Sequence, residues 1–571
     1  MNIFVLNRKL KKTFGGAVSA SLEDNCVVLR GSLDKWDDVV AAGMMSAKPH
    51  SKRHVVNDII FTGALPVPMR MPSLRDSELD GDTPDVLIIG GGISGCSVAR
   101  ELSRFDLDIL LLEKEADLAL AASGRNDGEV HPGVDLSRGS LKHKYIRRAN
   151  RMYGRVCSEL DVPFTRPGQF ACFTRAIFLP FAVLYVLKRR FVDGIEDTRF
   201  IWGREIRKKE PTISEKVLFA LSNPSSGCVS PYELVIAYAE NAVQNGARVS
   251  LNTAVTDMSV ENGRINAVVT NRGTIYPKIV INCAGVYADE IARMANDRFF
   301  SIHPRKGTNS ILDRKAGARY NSIASIIGAK SPGKTHTKGG GILHTVHDNL
   351  LVGPDAVETW ERENTETDPE SIRRMFIKQR MTMPSLSERD IITYFTGVRA
   401  PTYEEDFIIE YGRRTENIIH VAGIQSPGLT TAPAVAEDVA MMTVNALGGA
   451  GVNRSFDPVR HAPPRLAKMS DEERAKLIAE NPDYGIIVCR CEEISRGEIL
   501  DALSSPICVP TLDGIKKRLR PGMGRCQGGF CSPLVTRIIA EKLNVPVSEV
   551  RKSSAESPIV FEGRKGGERD E

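Results

Sequence analysis

Residues 85–95 read DVLIIGGGISG, a short apolar run that ends in a glycine-rich turn. Residues 96–105 (CSVARELSRF) follow with helical periodicity, and residues 108–113 (DILLLE) form a second apolar run. A strand, a helix and a strand within about 30 residues are typical of a βαβ unit with a buried parallel pair. The stretch therefore predicts a Rossmann-type domain.

The glycine turn fits G-x-G-x-x-G in the context that gives this motif meaning. Gly90 permits the tight turn, Gly92 lets the backbone approach a pyrophosphate, and Gly95 lets helix and strand pack closely. The helix start at Ile93 and Ser94 offers free N–H groups to phosphates. These features predict a dinucleotide site, and a purely structural glycine turn is the alternative.

Glu113 ends the second strand of this unit. A carboxylate at that place accepts hydrogen bonds from ribose hydroxyls. It would repel a 2′-phosphate, which disfavours NADP.

Composition limits the class of protein. At 571 residues the chain has room for three or four domains. It carries 76 basic and 71 acidic residues, 26% charged and 42% hydrophobic residues, which is ordinary for a globular protein. A net charge of +5 with 6% aromatic residues gives no basis for nucleic-acid binding. The N-terminus lacks the pattern of a signal peptide, which favours a cytoplasmic location.

Residues 176–187 (AIFLPFAVLYVL) are the longest strongly apolar run, and they are too short to span a bilayer. A partly buried helix is one interpretation. The alternative is a membrane-surface contact helped by Lys188, Arg189 and Arg190, with peripheral association at the inner face of the membrane.

Composition shifts divide the chain into six segments. We expect an α/β fold (α+β overall): a Rossmann-type nucleotide-binding domain with an interleaved antiparallel-sheet substrate domain, a small helical C-terminal domain that carries a group of cysteines and a small N-terminal αβ module. The expected segments are the N-terminal module 1–63, a linker 64–83, the main body 84–449, a linker 450–484, the cysteine-bearing domain 485–550 and a flexible tail 551–571. Residues 23–59 loosely resemble a BON-type domain.

Four further stretches bear on the cofactor: SGRNDGEVHPG (123–133), TAV (253–255), NCAG (282–285) and GIQSPGLT (423–430). With the βαβ unit they make residues 85–446 resemble the glycine oxidase/D-amino-acid oxidase superfamily, and within it the FAD-dependent glycerol-3-phosphate dehydrogenases. The resemblance implies FAD as cofactor. The further FAD-binding residues it implies are Lys114, Ser123, Arg125, Asn126, Val255, Ala284, Gly285, Gly423, Gly428, Leu429 and Thr430.

That family transfers a hydride from a carbon bearing OH or NH to flavin N5 while a base takes the proton. The candidate base is His131, because an imidazole titrates near neutral pH; the alternative is that it only positions the flavin. A small anionic substrate would be held by cations, of which an arginine can grip a carboxylate or phosphate with two hydrogen bonds. The candidates are Arg305, Lys306, Lys338 and Arg399, with structurally paired arginines as the alternative.

Five of the eleven cysteines lie between Cys489 and Cys531. Cys489 with Cys491 and Cys526 with Cys531 form two close pairs that can enclose one [2Fe–2S] cluster. The stretch GMGRCQGGFCSP resembles the BFD-like [2Fe–2S] domain. A zinc ion at the same four cysteines is the alternative, and Cys508 is not expected to be a ligand.

Together these features predict an FAD-dependent oxidation of sn-glycerol 3-phosphate to dihydroxyacetone phosphate. Electrons would leave through the cluster to a quinone or a partner flavoprotein. An L-2-hydroxyglutarate dehydrogenase, or one acting on another 2-hydroxy or amino acid, is the alternative. A redox interaction protein without catalysis is the alternative from another class.

Overall fold

The computed structural model describes residues 2–48, 53–134, 136–195, 197–327 and 340–560. The chain begins with a small αβ module in which β1 pairs antiparallel with β2, and β2 pairs parallel with β3. Its core includes Leu6, Leu10 and Leu29, and Tyr403 of the main body packs into it. Its elements are α1 (Ile3–Phe14), β1 (Val18–Glu23), β2 (Cys26–Leu33), α2 (Trp36–Ser46) and β3 (Val55–Phe61).

The main body begins with the predicted βαβ unit and continues through two interleaved sheets. Its first part contains β4 (Val86–Ile89), α3 (Ile93–Leu102), β5 (Ile109–Leu112), β6 (Glu129–Val130), α4 (Leu141–Glu159), β7 (Phe164–Thr165), β8 (Gln169–Phe173), α5 (Leu179–Phe191), β9 (Arg199–Trp202), α6 (Gly203–Lys209), β10 (Phe219–Asn223), β11 (Gly227–Val229), α7 (Pro231–Gln244), β12 (Arg248–Ser250), β13 (Val255–Glu261), β14 (Arg264–Thr270), β15 (Gly273–Ile275) and β16 (Ile279–Asn282).

The second part of the main body completes both sheets. It contains α8 (Ala288–Met294), β17 (Arg305–Leu312), α9 (Arg314–Gly317), β18 (Ile323–Ile326), β19 (Gly341–His344), β20 (Leu350–Gly353), β21 (Val357–Glu358), α10 (Pro369–Gln379), β22 (Ile391–Arg399), β23 (Ile408–Tyr411), β24 (Ile418–Ala422) and α11 (Gly428–Ala446).

A six-stranded sheet of order β12-β5-β4-β16-β24-β23 forms the nucleotide-binding half. Its pairs are parallel except β23 with β24. Every residue of β4 and β5 is buried, as expected for strands covered on both faces. The predicted Rossmann-type domain is confirmed.

A nine-stranded, mostly antiparallel sheet forms the other half, in the order β21-β17-β20-β19-β18-β8-β10-β9 with β22 paired to β17. This is the predicted interleaved sheet, because its strands come from segments on both sides of β12–β16. The long β17–β22 ladder pairs Arg305 with Arg399. That register brings two predicted substrate cations to neighbouring strands.

The C-terminal domain is small and largely helical, as predicted. It contains β25 (Ile487–Cys489), β26 (Ile494–Ser495), α13 (Arg496–Ala502), α14 (Leu512–Leu519) and α15 (Ser532–Leu543), preceded by α12 (Asp471–Glu480). Its Ile507 joins the core of the main body. Arg518 Nη1 lies 3.0 Å from Asp117 Oδ2, and both side chains are buried. The domain is therefore docked on the nucleotide-binding half.

Two segments expected to be extended or flexible make specific contacts. Within 450–484, Arg460 Nε donates to Glu240 Oε2 at 2.7 Å. In the described part of the tail, Arg551 O accepts from Leu512 N–H at 3.1 Å. No helix in the described ranges is long and apolar enough to cross a membrane.

The apolar run 176–187 lies largely in α5, and its apolar side chains are split between the core and the surface. Ala182 is buried, whereas Ile177, Phe181, Leu184 and Leu187 are exposed. Arg189 differs from expectation. It is buried rather than surface-facing, and its guanidinium donates to Pro132 O and Gly133 O at 2.9 and 2.6 Å.

Candidate active site and cluster site

The glycine turn joins β4 to α3, and its conformation excludes larger residues. Gly90 has φ +114°, and a Cβ there would lie 2.4 Å from Cys283 O. A Cβ at Gly95 would lie 1.9 Å from Gly90 O. The N–H of Ile93, in the first helical turn with Ser94, donates to Ser123 Oγ at 2.9 Å. Glycine at positions 90 and 95 thus permits the tight turn, while Ser123 takes the Ile93 N–H that the motif was expected to offer to a phosphate.

Glu113 lies beside this turn, where its carboxylate accepts from the N–H of Gly91 at 2.7 Å and of Glu115 at 2.8 Å. Burial raises the pKa of Glu113 to about 7, although these hydrogen bonds act against the shift. Lys114 is engaged elsewhere, because its Nζ lies 2.5 Å from Glu115 Oε1 and 2.6 Å from Glu363 Oε1.

Other predicted cofactor residues lie at the strand ends of the parallel sheet. Ala284 and Gly285 follow β16 and Gly423 follows β24, whereas Val255 opens β13 of the separate three-stranded sheet β13-β14-β15. Because β4, β16 and β24 are parallel, their carboxyl ends meet at one edge of the sheet, which is where ligands of such sheets bind.

A cavity of about 390 Å³ lies between the two sheets. It is lined by predicted residues from segments far apart in the chain: Ile93, Ser123, Arg125, Asn126, His131, Arg399, Gly428 and Leu429. The cavity wall thus unites the predicted flavin loop with two of the predicted substrate residues. Of the other three substrate candidates, Lys338 lies outside the described residues.

His131 is held from three sides. The backbone N–H of His131 donates to Thr430 Oγ1 at 2.9 Å, and the ring Nε2 shares a hydrogen bond of 3.1 Å with Ser426 Oγ. Its Nδ1 lies 3.4 Å from Glu129 Oε1. This arrangement fixes the ring at the cavity wall with a carboxylate behind it.

Arg399 brings a positive charge to the cavity. Its Nη2 donates to Asp355 O at 2.8 Å, and it forms no ion pair with any residue that the structure describes. Burial, and then the neighbouring Arg305, lower the pKa of Arg399. A guanidinium nonetheless stays charged in proteins, so Arg399 can hold an anion.

Arg305 and Lys306 do not line the cavity, contrary to expectation. Arg305 is buried, with Nε 2.6 Å from Glu358 Oε1 and Nη2 2.6 Å from Glu405 Oε1. Lys306 Nζ donates to Asn364 Oδ1 at 2.8 Å. Alternation along β17 puts only Lys306 on the face away from Arg399, whereas Arg305 shares the face of Arg399 but is held by its ion pairs with Glu358 and Glu405.

The residue of β17 that does line the cavity is Asn309, which sequence reasoning missed. Neither its Nδ2 nor its Oδ1 has a hydrogen-bond partner among the described residues, although the side chain is buried. A buried amide without partners costs free energy, so this pair of atoms indicates a place for a polar ligand. A period-two count along β17 from Arg305 reaches position 309, so the strand pattern is the signal that could have indicated Asn309.

The four cysteines of the C-terminal domain stand as two spatial pairs, each of which joins one cysteine from either of the two sequence pairs. Cys491 Sγ lies 3.9 Å from Cys526 Sγ, and Cys489 hydrogen-bonds Cys531. Across the described residues no three His, Cys, Asp or Glu side chains gather around a single point. Two thiol pairs match the two irons of a [2Fe–2S] cluster, each of which takes two cysteines.

Backbone amides surround these sulfurs. The N–H groups of Phe530, Gly528 and Gly529 lower the pKa of Cys526. A hydrogen bond from Cys531, followed by those from backbone amides including Gly522, lowers the pKa of Cys489 to about 6. Backbone N–H groups that point at the sulfurs of Cys489 and Cys526 suit thiolate ligands of iron, so these residues fit the cluster.

Comparison with known proteins agrees with this geometry. The model of the DAO family, FAD dependent oxidoreductase, matches residues 85–442. The chain belongs to this family of FAD-dependent oxidoreductases. Residues 487–541 match the BFD-like [2Fe-2S] binding domain. The predicted cofactors, FAD and a [2Fe–2S] cluster, are therefore confirmed, and the zinc alternative loses its basis.

Individual relatives of this DAO-family chain include enzymes of glycerol 3-phosphate. A glycerol 3-phosphate dehydrogenase of Caloramator mitchellensis is 36% identical over 477 residues, covering 83% of this chain and 98% of that one. The dithionite-reduced L-alpha-glycerophosphate oxidase of Mycoplasma pneumoniae with FAD bound matches with a TM-score of 0.61 and 25% identity, over 67% of this chain and all of that one. An L-2-hydroxyglutarate dehydrogenase of Indibacter alkaliphilus is 26% identical over 61% of this chain and 95% of that one.

Proposed function

We propose that this FAD-dependent oxidoreductase oxidises sn-glycerol 3-phosphate to dihydroxyacetone phosphate. The observation that carries the proposal is the convergence of His131, Arg399 and Asn309 on the one cavity that the flavin loop also lines. The similarity to a glycerol 3-phosphate dehydrogenase over 98% of that enzyme supports the substrate. The match to an L-2-hydroxyglutarate dehydrogenase is weaker, and that substrate is kept as the alternative.

Each cavity residue has a role in this proposal. Arg399 binds the phosphate, because its guanidinium can donate two parallel hydrogen bonds to phosphate oxygens. Asn309 donates to or accepts from the substrate hydroxyls through its unpartnered amide. His131 Nε2 takes the proton of the C2 hydroxyl, and Glu129 stabilises the imidazolium from the other side of the ring.

When bound, FAD supplies the acceptor for the hydride that leaves C2. The chain would hold it with the glycine turn at the pyrophosphate, Glu113 at the ribose, and the loop from Ser123 to Asn126 together with Gly428 at the ring. Ser123 and Arg125 line the same cavity as His131. Because they share this cavity wall, the base His131 and the flavin ring would both contact the same bound substrate.

Electrons would leave through the cluster to an acceptor such as a quinone or a partner flavoprotein. Cys491 is exposed and Cys526 is half-buried, whereas Cys489 and Cys531 are buried. The exposed pair gives an external acceptor access to the cluster edge.

Anaerobic absorbance of the purified holoenzyme tests the substrate. Addition of sn-glycerol 3-phosphate should bleach the flavin bands and then the broader cluster absorbance. L-2-hydroxyglutarate should leave both unchanged at the same concentration. A spectrum that shows both cofactors and responds only to L-2-hydroxyglutarate would overturn the proposed substrate.

We also propose a peripheral membrane association through the exposed face of α5. Phe181, Leu184 and Phe191 are 66%, 62% and 75% exposed. Their spacing puts them on one side of the helix. Lys188 and Arg190 are exposed near its end, and the helix carries no acidic residue. An apolar face bordered by basic residues suits an anionic lipid surface.

Vesicle sedimentation tests this second proposal. The protein should sediment with vesicles that contain phosphatidylglycerol and remain in solution with neutral ones. Phe181→Glu with Phe191→Glu should abolish the binding, whereas Ile60→Glu, at another exposed apolar position, should not. Equal sedimentation of both variants would refute the role of α5.

A further inference from the structure

One contact between the C-terminal cluster domain (485–550) and the main body lies at the start of α7. Tyr232 Oη donates to Met523 Sδ, 3.2 Å away, and accepts from Arg520 Nη1 at 2.7 Å. Tyr232 belongs to the main body, whereas Arg520 and Met523 lie in the loop that leads to Cys526. One tyrosine thus joins the two cofactor-binding regions.

Arg520 is held in this position by the cluster side as well. Its Nε donates to Glu492 Oε2 at 2.9 Å, and Glu492 follows directly after Cys491. Arg520 adopts φ +76°, a conformation that non-glycine residues rarely take. The strain is retained because the guanidinium is fixed between Tyr232 and the buried Glu492.

A continuous series of bonds leads from the flavin cavity to Tyr232. Asn126, in the cavity wall, accepts from the Gly128 N–H at 2.9 Å. Gly128 O accepts from the Val229 N–H at 3.0 Å, and a Cβ placed at Gly128 would lie 3.3 Å from Pro231 Cδ. Val229 is three residues before Tyr232, so the flavin loop contacts the start of α7 directly.

The series continues from Tyr232 to the cluster ligands. Met523 is bonded to Gly522, whose N–H donates to Cys489. The adjoining Gly524 leaves no room for a side chain, since a Cβ there would lie 2.3 Å from Cys491 Cβ. Electrons tunnel faster through bonded and hydrogen-bonded atoms than across gaps.

We propose that Tyr232, positioned by Arg520 and Met523, carries electrons from the FAD site to the [2Fe–2S] cluster. The proposal rests on the proposed electron exit through the cluster and is independent of which substrate reduces FAD. Reduced FAD holds two electrons, and the cluster accepts one by converting one Fe(III) to Fe(II). After each transfer an external one-electron oxidant such as ferricyanide reoxidises the cluster. Two successive transfers therefore return FAD to its oxidised state, and its protons go to solvent.

Flash photoreduction of the anaerobic holoenzyme by a deazaflavin radical tests the route without any substrate. Absorbance then follows the transfer of the electron from FAD to the cluster, and FAD-free protein reports direct reduction of the cluster. The variants are Tyr232→Phe, which removes only the hydroxyl, and Met523→Leu, which removes the sulfur. Tyr145→Phe is the matched control, because its hydroxyl donates to Asp438 within the main body.

The transfer should slow several-fold in Tyr232→Phe and Met523→Leu and remain unchanged in Tyr145→Phe. Iron and FAD content should equal those of the wild type, and amide hydrogen exchange of residues 485–550 should be unchanged. Unchanged transfer in both variants overturns the proposal. Slower transfer accompanied by faster exchange also overturns it, because Tyr232 would then serve docking alone. Failure of glycerol 3-phosphate as substrate alters none of these readouts.

Discussion

The flavin cavity and the cluster site obtain their residues in different ways. The cavity wall takes residues from Ile93 to Leu429, contributed by both sheets and the loops between them. The cluster site takes all four cysteines from two turns of one small domain. Assembly of the cavity therefore requires the whole main body to fold, whereas assembly of the cluster site requires only local turns and the iron. Damage to one site should leave the other intact.

The most severe change expected is the loss of a cluster ligand. Cys526→Ser should remove the iron–sulfur absorbance completely, because the cluster needs four thiolates. FAD content and the reduction of an artificial dye should be retained, while reduction of the natural acceptor stops. Iron analysis and absorbance measure this. Cys508→Ser, in the same domain, should keep its iron, and loss of FAD in Cys526→Ser would break the separation between the two sites.

Replacement of the candidate base should give the next largest effect. His131→Asn should lower kcat by about 10²–10⁴-fold, since proton transfer by a placed base contributes that much. Both cofactors should remain bound, so steady-state kinetics and absorbance suffice. His461→Asn, at an exposed position of the chain, should behave as wild type. A kcat within a few-fold of wild type in His131→Asn would assign His131 to positioning alone.

The paired arginines of β17 and β22 should respond in opposite ways. Arg399→Gln should lower kcat/KM roughly 10–100-fold through loss of a charged hydrogen bond to the substrate. Arg305→Gln should instead destabilise the fold by about 3–5 kcal/mol, because it leaves the buried Glu358 and the half-buried Glu405 without their cationic partner. Kinetics and urea unfolding of both variants measure this. The assignment is wrong if Arg305→Gln changes kcat/KM at unchanged stability.

The smallest effect concerns Glu113 in the FAD-free protein. Its pKa rises from 4.5 to about 7 on folding because burial disfavours the charged form. The folded state thus binds more protons than the unfolded state. The stabilisation that protonated Glu113 gives the folded state is fully present below pH 4.5 and is lost as the pH rises through about 7. Glu113→Gln should reduce this pH-dependent decrease in the free energy of unfolding. In the wild type the decrease is less than about 3 kcal/mol. Urea unfolding between about pH 5 and pH 8 measures it, and a parallel decline in the variant would contradict the assignment.

The same comparison explains what the sequence could predict. The glycine turn, Glu113 and the four cysteines are local patterns, and each lies where its pattern indicated. Whether Asn309 lines the cavity depends on which face of β17 meets it. That is decided by the register with β22, a strand about 80 residues later in the chain. The sequence carries no local signal for such a register.

Interactions between domains were likewise hidden from the sequence. No sequence pattern singled out Tyr232, and the polar stretch 450–484 indicated a linker. Tyr232 contacts the cluster loop only because the docked domain brings Arg520 and Met523 to α7. Arg460 is engaged because its segment runs along α7 at Glu240.

The register that pairs Arg305 with Arg399 also bears on which molecules the cavity rejects. Glu358 and Glu405 form ion pairs with the first guanidinium, whereas the second has no ion pair among the residues that the structure describes. A neutral triol such as free glycerol would displace water from the Arg399 guanidinium without forming an ion pair with it. The cavity would then select the phosphate ester over the free polyol because binding the polyol leaves the Arg399 guanidinium without a hydrogen-bonded anion. A binding site rejects an analogue strongly when that analogue leaves a buried polar group of the site unpaired.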